Sequence, residues 1–455
     1  MPQFSTHARQ RRTPPWKRRR RRLMLILSVP LMLLVALLAY RTHLRARANE
    51  SLAALEAMGI PLSEEAFAAW HPYQKGENAA TQYLEAASRI SPLDPARAAS
   101  LPYFSESAEY RRDQPYPDAM LSAARDVLAE NAAVFEILDQ AAAVKESHYG
   151  IDYNAGIGVS MASLQRLDPL SKLLALDALV AAETGRVADA AEALAGMLRL
   201  GASLRNEPAA YPQYRRHAVN SLFCVTLERV LGRASLAEAQ LRTLECAISE
   251  AEAPEAFHRS LVGEIRSQIR MLSRAETLAV SGPLANLLAL IGVTDGALRT
   301  FADTAASQIE LTRGDFQQAF TAAQRIDAWV EHAGWFQRHL NVYYWGVGSR
   351  AHYHFLDLGR LRAARAAVGV ARYQAAHGAL PSSVEALAAF LGEAMPSDPF
   401  SGETVRYTRE DTGYVVYCVG RFPETVEERL EDGERSARRQ GEVPFVRVVT
   451  GGTLP

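Results

Sequence analysis

GRVADAAEALAGMLRLG, residues 185–201, decides how the middle of this chain folds. Val187, Ala191, Leu194, Leu198 and Gly201 recur at helical spacing and make one apolar face. Gly185 stands just ahead of it, where a glycine lets one helix end and the next begin. The texture extends in both directions. From about residue 63 to residue 376 alanine and leucine dominate, glycine or proline punctuates, and the chain reads helix after helix. Val219, Leu222, Phe223, Thr226 and Val230 form a second such face. Ser235 and Glu238 have the spacing of a capping box, and Pro254 suits the first turn of the helix that follows.

Two further segments look like the turn at Gly185. They are Gly314-Asp315-Phe316 and Gly359-Arg360-Leu361, each a glycine followed by an apolar residue that starts a new stripe. The pattern resembles the turn between the paired helices of tetratricopeptide repeats. The three glycines are 129 and 45 residues apart, so no 34-residue period exists. The expectation is a mostly α chain of irregular stacked helical hairpins, tetratricopeptide-like but not periodic.

Residues 1–48 contain no acid, and nine basic residues (Arg9, Arg11, Arg12, Lys17 and Arg18 to Arg22) precede the uncharged run 23–40. Eighteen residues at 1.5 Å rise span about 27 Å, close to the ~30 Å hydrocarbon core of a bilayer. Only Arg41, Arg45 and Arg47 follow the run, so the heavier cluster predicts a cytoplasmic tail (1–22), a transmembrane helix (23–40) and an exported remainder. The alternative, a cleaved signal peptide, has only Ala46-Arg47-Ala48 as a nearby small-x-small site, and that is charged and late. Leu44, Ala48, Leu52, Leu55 and Met58 share one stripe, predicting a stalk helix over 41–59 that packs on the body and stops at Gly59 and Pro61. Twelve of the 50 basic residues lie in positions 1–48, so the rest of the chain carries 38 bases against all 51 acids. That balance argues against nucleic acid as a partner.

Signatures of chemistry are sparse. The sequence has no GxSxG, no HExxH and no P-loop. Gly156-Ile157-Gly158 has Met161 where a dinucleotide fingerprint wants glycine, and its segment YGIDYNAGIG (149–158) reads as a surface loop, as does 101–117. His332 and His339 are seven residues apart, where a helical zinc site wants four, and His352 and His354 follow. Trp329, His332, Trp335, His339, Tyr343 and Trp345 predict an aromatic groove rimmed by histidines. Glu264 is expected to pair with Arg266 or Arg270 as structural glue. Cys224, Cys246 and Cys418 have no metal spacing, and Cys224 and Cys246 are read either as a pair across neighbouring helices or as buried thiols. No catalytic, metal or cofactor residue is assigned.

Beyond the helical domain (60–358) the texture changes. A helix over 361–376 ends at Gly378, and Ser382 and Glu385 have capping-box spacing. Met395-Pro396-Ser397-Asp398-Pro399-Phe400-Ser401-Gly402 predicts a rigid turn, and Val405 to Gly420 predicts a hairpin around Asp411-Thr412-Gly413. Tyr373, Gly378, Pro381, Asp398, Pro399, Phe400, Gly402, Tyr407, Tyr414, Tyr417 and Gly420 occur in the order found in the head of type II secretion major pseudopilins. Residues 359–422 thus resemble that small α+β module, and 423–455 read as a charged extension. The whole chain is similar to membrane-anchored bacterial proteins that carry such a tail after a helical middle. The resemblance implies a bacterial envelope protein of unknown activity; with the anchor and its charge asymmetry, the expectation is a single-pass protein of the inner membrane with its bulk periplasmic. Stacked helical hairpins make concave surfaces, so a binding or scaffolding role with a protein partner in the envelope is expected. The alternatives are an exported enzyme with an unrecognised site and an accessory of a secretion or pilus-like system.

Overall fold

The computed structural model describes residues 15–72, 76–105, 114–155, 160–273, 292–312, 315–332, 347–421 and 443–449. The first element, α1 (Pro15–Ala57), is 43 residues long and runs through Pro30 without a break. Its apolar stretch is open to the surroundings: Leu27, Leu31, Met32 and Leu33 are 61–66 % exposed. A contiguous apolar surface of that extent is out of place in water. Among the described residues α1 is long and apolar enough to cross a membrane.

Beyond Tyr40 the same helix enters the body. Ala48 and Leu55 are fully buried, with Leu52 and Met58 beside them. They pack against Leu261, Ile265 and Ile269 of α11 (Glu255–Ser273) and Phe301, Ala305 and Ile309 of α12 (Val293–Leu311). This is the stalk stripe expected from the sequence, and it builds a second hydrophobic core. Ser51 Oγ adds a 2.6 Å hydrogen bond to Asp303. The helix stops at Gly59, whose φ of 91° is open to glycine and strained for other residues.

The main core is made by helical hairpins. After α2 (Glu64–Trp70), α3 (Ala79–Ser88), α4 (Pro95–Ala99), α5 (Asp118–Glu130) and α6 (Ala132–Ala142) come α7 (Leu167–Glu183) and α8 (Val187–Ala202). Gly185 turns between the last two at φ 73°. Leu194 and Leu198 of the apolar face are 0 % and 2 % exposed. Each such leucine contributes about 1.5–3 kcal/mol on burial. Helices α9 (Ala210–Arg233) and α10 (Glu238–Ala251) continue the stack. The cap of α10 is made not by Ser235 but by Gln240, whose Oε1 accepts the Ala237 N–H at 2.8 Å.

After α13 (Phe316–His332) comes α14 (Val347–His377), and it corrects one expectation. Gly359 lies inside this 31-residue helix, not at a turn. The glycine serves contact: a Cβ there would lie 2.7 Å from Pro444 Cγ. Of the Gly314 turn, residues 313–314 lie outside the described residues. Helix α15 (Val384–Leu391) is capped by Ser383 rather than Ser382, with the Ala386 N–H bonded to Ser383 Oγ.

A three-stranded antiparallel sheet closes the chain in the order β1 (Arg406–Glu410), β2 (Gly413–Tyr417), β3 (Phe445–Val449). The hairpin β1–β2 matches the sequence reading. Strand β3 arises within the stretch read as a charged extension, pairs Tyr417 with Phe445, and packs on α9 and α14. Tyr414 and Phe400 join the main core, so the end module and the helical body share one interior.

Candidate functional site

Asn78 organises the region that follows. It caps α3 by accepting the Ala80 N–H, and the same Oδ1 accepts the His148 N–H at 2.9 Å while Nδ2 donates to the His148 carbonyl at 2.7 Å. The segment after α6 is thereby strapped to the start of α3. It is pinned from the other side by residues 203–209, the link between α8 and α9. Glu207 accepts the Tyr149 N–H at 2.8 Å and the Tyr153 hydroxyl at 2.5 Å. Ser203 Oγ donates to the Leu200 carbonyl at 2.6 Å, so the 2.7 Å contact with Tyr149 is a bond that the tyrosine donates. Thus 149–155 is not wholly a surface loop: Tyr149 and Ile151 are buried, while Gly150, Asp152 and Ala155 stay exposed. Likewise Leu101 is fully buried at the head of the other stretch read as a loop.

Between α3, α6 and α8 these segments leave a cavity of about 510 Å³. Its lining includes Tyr83, Lys145, Ser147, Arg199, Arg205 and Glu250. Burial pushes the Tyr83 phenol up to about 12, partly offset by Arg199. Arg199 is paired with Glu192, whereas Lys145, Arg205 and Glu250 have no ion-pair partner among the described residues. Ser147 Oγ is buried without a hydrogen-bond partner.

Next to the cavity, ligand atoms of His71, His148 and Glu207 lie within 4.8 Å of one another. Two imidazoles and a carboxylate suit zinc by composition. Their second contacts do not. Gly150 N–H donates to His148 Nδ1 at 2.9 Å, and the Arg259 guanidinium, which can only donate, lies 3.2 Å from His71 Nδ1. Both Nδ1 atoms are therefore acceptors, and a neutral ring then carries its hydrogen on Nε2. A metal-bound histidine needs the opposite, a lone pair toward the ion and a donating N–H behind it. The cluster is one of hydrogen-bond donors beside a carboxylate. Burial, then His148 and Arg259, lower the His71 pKa to about 3 and hold the ring neutral. Its Nε2 is buried without a partner.

Helix α11 backs this site. Arg259 donates to the Asn206 carbonyl at 2.8 Å and lies over the Trp70 ring. Arg266 covers Phe67 and donates to Asn154. Glu264 makes neither expected pair. It accepts the Ala210 N–H at 2.9 Å, because α9 has no side-chain cap of its own and its positive end attracts a carboxylate. Arg270 pairs with Glu64 instead. A Cβ on Gly263 would lie 1.9 Å from the Pro208 carbonyl oxygen. Gly263→Ala should gain about 1 kcal/mol of helix propensity and lose about 3 kcal/mol or more to that overlap. Urea unfolding in detergent should show the net loss; an unchanged midpoint would mean that the two backbones do not touch.

A second polar cluster lies deeper. Asp357, 1 % exposed, is 3.5 Å from Arg216 and 3.7 Å from His217, and accepts from Asn220 at 3.1 and 3.2 Å. His354 stacks on Phe257 at 5.1 Å, so it and His352 are core histidines rather than rim groups. Burial lowers His354 to about 3 and His217 well below its usual value. An unfolded histidine protonates near about 6.5. Acid therefore loads the unfolded chain first, and stability should fall as pH drops from about 6.5 toward 3, by up to about 1.4 kcal/mol per unit for each ring. Burial raises Asp357, which works the other way. Urea midpoints measured from about pH 7 to about pH 4.5 should decline, less so in His354→Gln; a rise on acidification would contradict the burial of these rings.

Of the expected aromatic groove, Trp335, His339, Tyr343 and Trp345 lie outside the described residues, and Trp329 and His332 are described only as part of the last turns of α13. The motif residues of the end module hold its backbone. Asp398 accepts the Phe400 N–H at 2.8 Å and the Val419 N–H at 2.7 Å, with Pro399 between. Tyr407 donates to the Pro381 carbonyl and Tyr414 to the Ala367 carbonyl. Gly378, Gly402 and Gly420 all have positive φ, and Tyr417 packs against the core. Among the described residues all three cysteines are free; Cys224 is buried and Cys246 exposed.

No protein-family model, curated protein or solved structure matches this chain.

Proposed function

We propose that this chain is a single-pass protein of the bacterial inner membrane whose helical body stands outside the cytoplasm and binds a ligand or protein partner. The observation that carries the reading is the cavity between α3, α6 and α8, with charged groups that have no partner among the described residues, on a chain that also offers a membrane-length apolar helix. The excess of bases before residue 23 supports a cytoplasmic N-terminus. The body's acidic balance favours soluble or protein partners over nucleic acid. The end module, whose Phe400 and Tyr414 lie in the main core, serves as a pseudopilin-like structural closure.

Two experiments test this. Alkaline phosphatase fused after Pro455 should be active in cells, since it matures only outside the cytoplasm; activity of a cytosolic reporter at that position instead would reverse the topology. A photocrosslinking residue at exposed Ala142, on the cavity wall, should capture a discrete adduct in living cells, and one at exposed Arg406 should not. Equal capture at both positions, or none at Ala142, would remove the cavity from the binding function.

A further inference from the structure

The charges around the cavity are of both signs and are not satisfied by one another. Lys145 and Glu250 are solvent-exposed and Arg205 is half-buried; none of the three has an ion-pair partner among the described residues, and all three line the same space. Opposite charges that share a cavity without pairing across it can be bridged by a ligand that carries both signs.

The helix ends have matching polarity. Ala142 and Ala202, the last residues of α6 and α8, line the cavity, and so does Ala79, the first residue of α3. A helix C-terminus is equivalent to about −0.5 charge and an N-terminus to about +0.5. The two C-terminal ends therefore add to Glu250 as an environment for a cation, while the start of α3 adds to the bases. A purely anionic ligand would meet Glu250 and both negative ends uncompensated. Ser147, also on the wall, has a hydroxyl oxygen buried without a hydrogen-bond partner. A volume of about 510 Å³ falls in the range of ligand pockets.

We infer that the cavity binds a zwitterionic ligand, an amino acid or short peptide with free ends, its carboxylate on Lys145 and Arg205 and its ammonium facing Glu250. The inference rests on the reading of the cavity as the binding site.

The test uses the full chain in detergent micelles and trialanine with both ends free, titrated calorimetrically beside its N-acetylated and C-amidated forms. Free trialanine should bind saturably, and blocking either end should weaken it about ten- to hundredfold, the loss expected for one charge-assisted contact. Glu250→Gln should weaken free trialanine and leave the acetylated form unchanged. Lys145→Met with Arg205→Met should weaken free trialanine and leave the amidated form unchanged. Unaltered thermal unfolding of these variants would show that the fold is intact. No saturable binding of trialanine, or equal binding of all three forms, would overturn the inference. If trialanine fails while Ala142 still captures an adduct, the ligand class is wrong and the binding reading stands; if both fail, both fall.

Discussion

Asp357→Ala is expected to remove about 3–5 kcal/mol of folding stability, a large share of the about 5–15 kcal/mol that ordinarily holds a domain folded. Its carboxylate faces Arg216, which is 1 % exposed and whose other nitrogens are committed to Gln213 and the Ala251 carbonyl. Removing the carboxylate leaves that guanidinium charge buried without its counterion and the Asn220 amide without its acceptor. The cost follows from the orphaned charge, not from the worth of the pair. A buried ion pair roughly breaks even against apolar residues of the same volume. Hence Asp357→Leu with Arg216→Met should recover most of the loss. Urea unfolding of the full chain in detergent decides it. A single substitution costing under about 1 kcal/mol would mean that water reaches Arg216.

Asp398→Ala should cost about 3–5 kcal/mol and act locally. Two backbone N–H groups, of Phe400 and Val419, end on its two oxygens, and the residue is 1 % exposed. Bonds to a charged acceptor are worth about 1.5–3 kcal/mol each. Because Val419 lies two residues beyond the end of β2 and Phe400 sits in the main core, their release should free the sheet from α14 before the helices melt. Hydrogen exchange should show protection lost across 405–420 and kept in α7 and α8. Uniform loss across the chain would mean that the module and the helices unfold as one unit.

The helical hairpins and the stalk were legible because each element carries its own period. The stripe from Val187 to Gly201 and the one from Leu44 to Met58 name their buried faces without reference to anything distant. At Gly359 the sequence misleads because a glycine that ends a helix and one that makes room for a neighbouring side chain look alike in a single sequence; only the ring of Pro444, 85 positions on, separates them. Strand β3 carries a local signal, since FVRVV is rich in β-branched and aromatic residues; what the charged stretch 424–440 ahead of it hides is its partner, β2. The site was least legible. His71, His148 and Glu207 share no motif, and YGIDYN looks polar until Glu207 and Ser203 take up its hydrogen bonds. One local hint existed, since asparagine at position 78 ahead of an alanine-rich helix is an N-cap signal, and that cap also holds the backbone of His148.

Helix α11 presents Leu261, Ile265 and Ile269 to the lower half of α1, while its Arg259, Gly263 and Glu264 grip the link that carries Glu207. The mast and the mouth are thus fastened to one beam. With α1 seated in a bilayer, the cavity would not swing on a loose tether; it would keep a constant height above the lipid and turn only as the helix itself turns. Four extra residues in α1 between Tyr40 and Leu44 would raise the whole body by about 6 Å and turn it through roughly one full rotation, so height could be varied while bearing stayed almost the same.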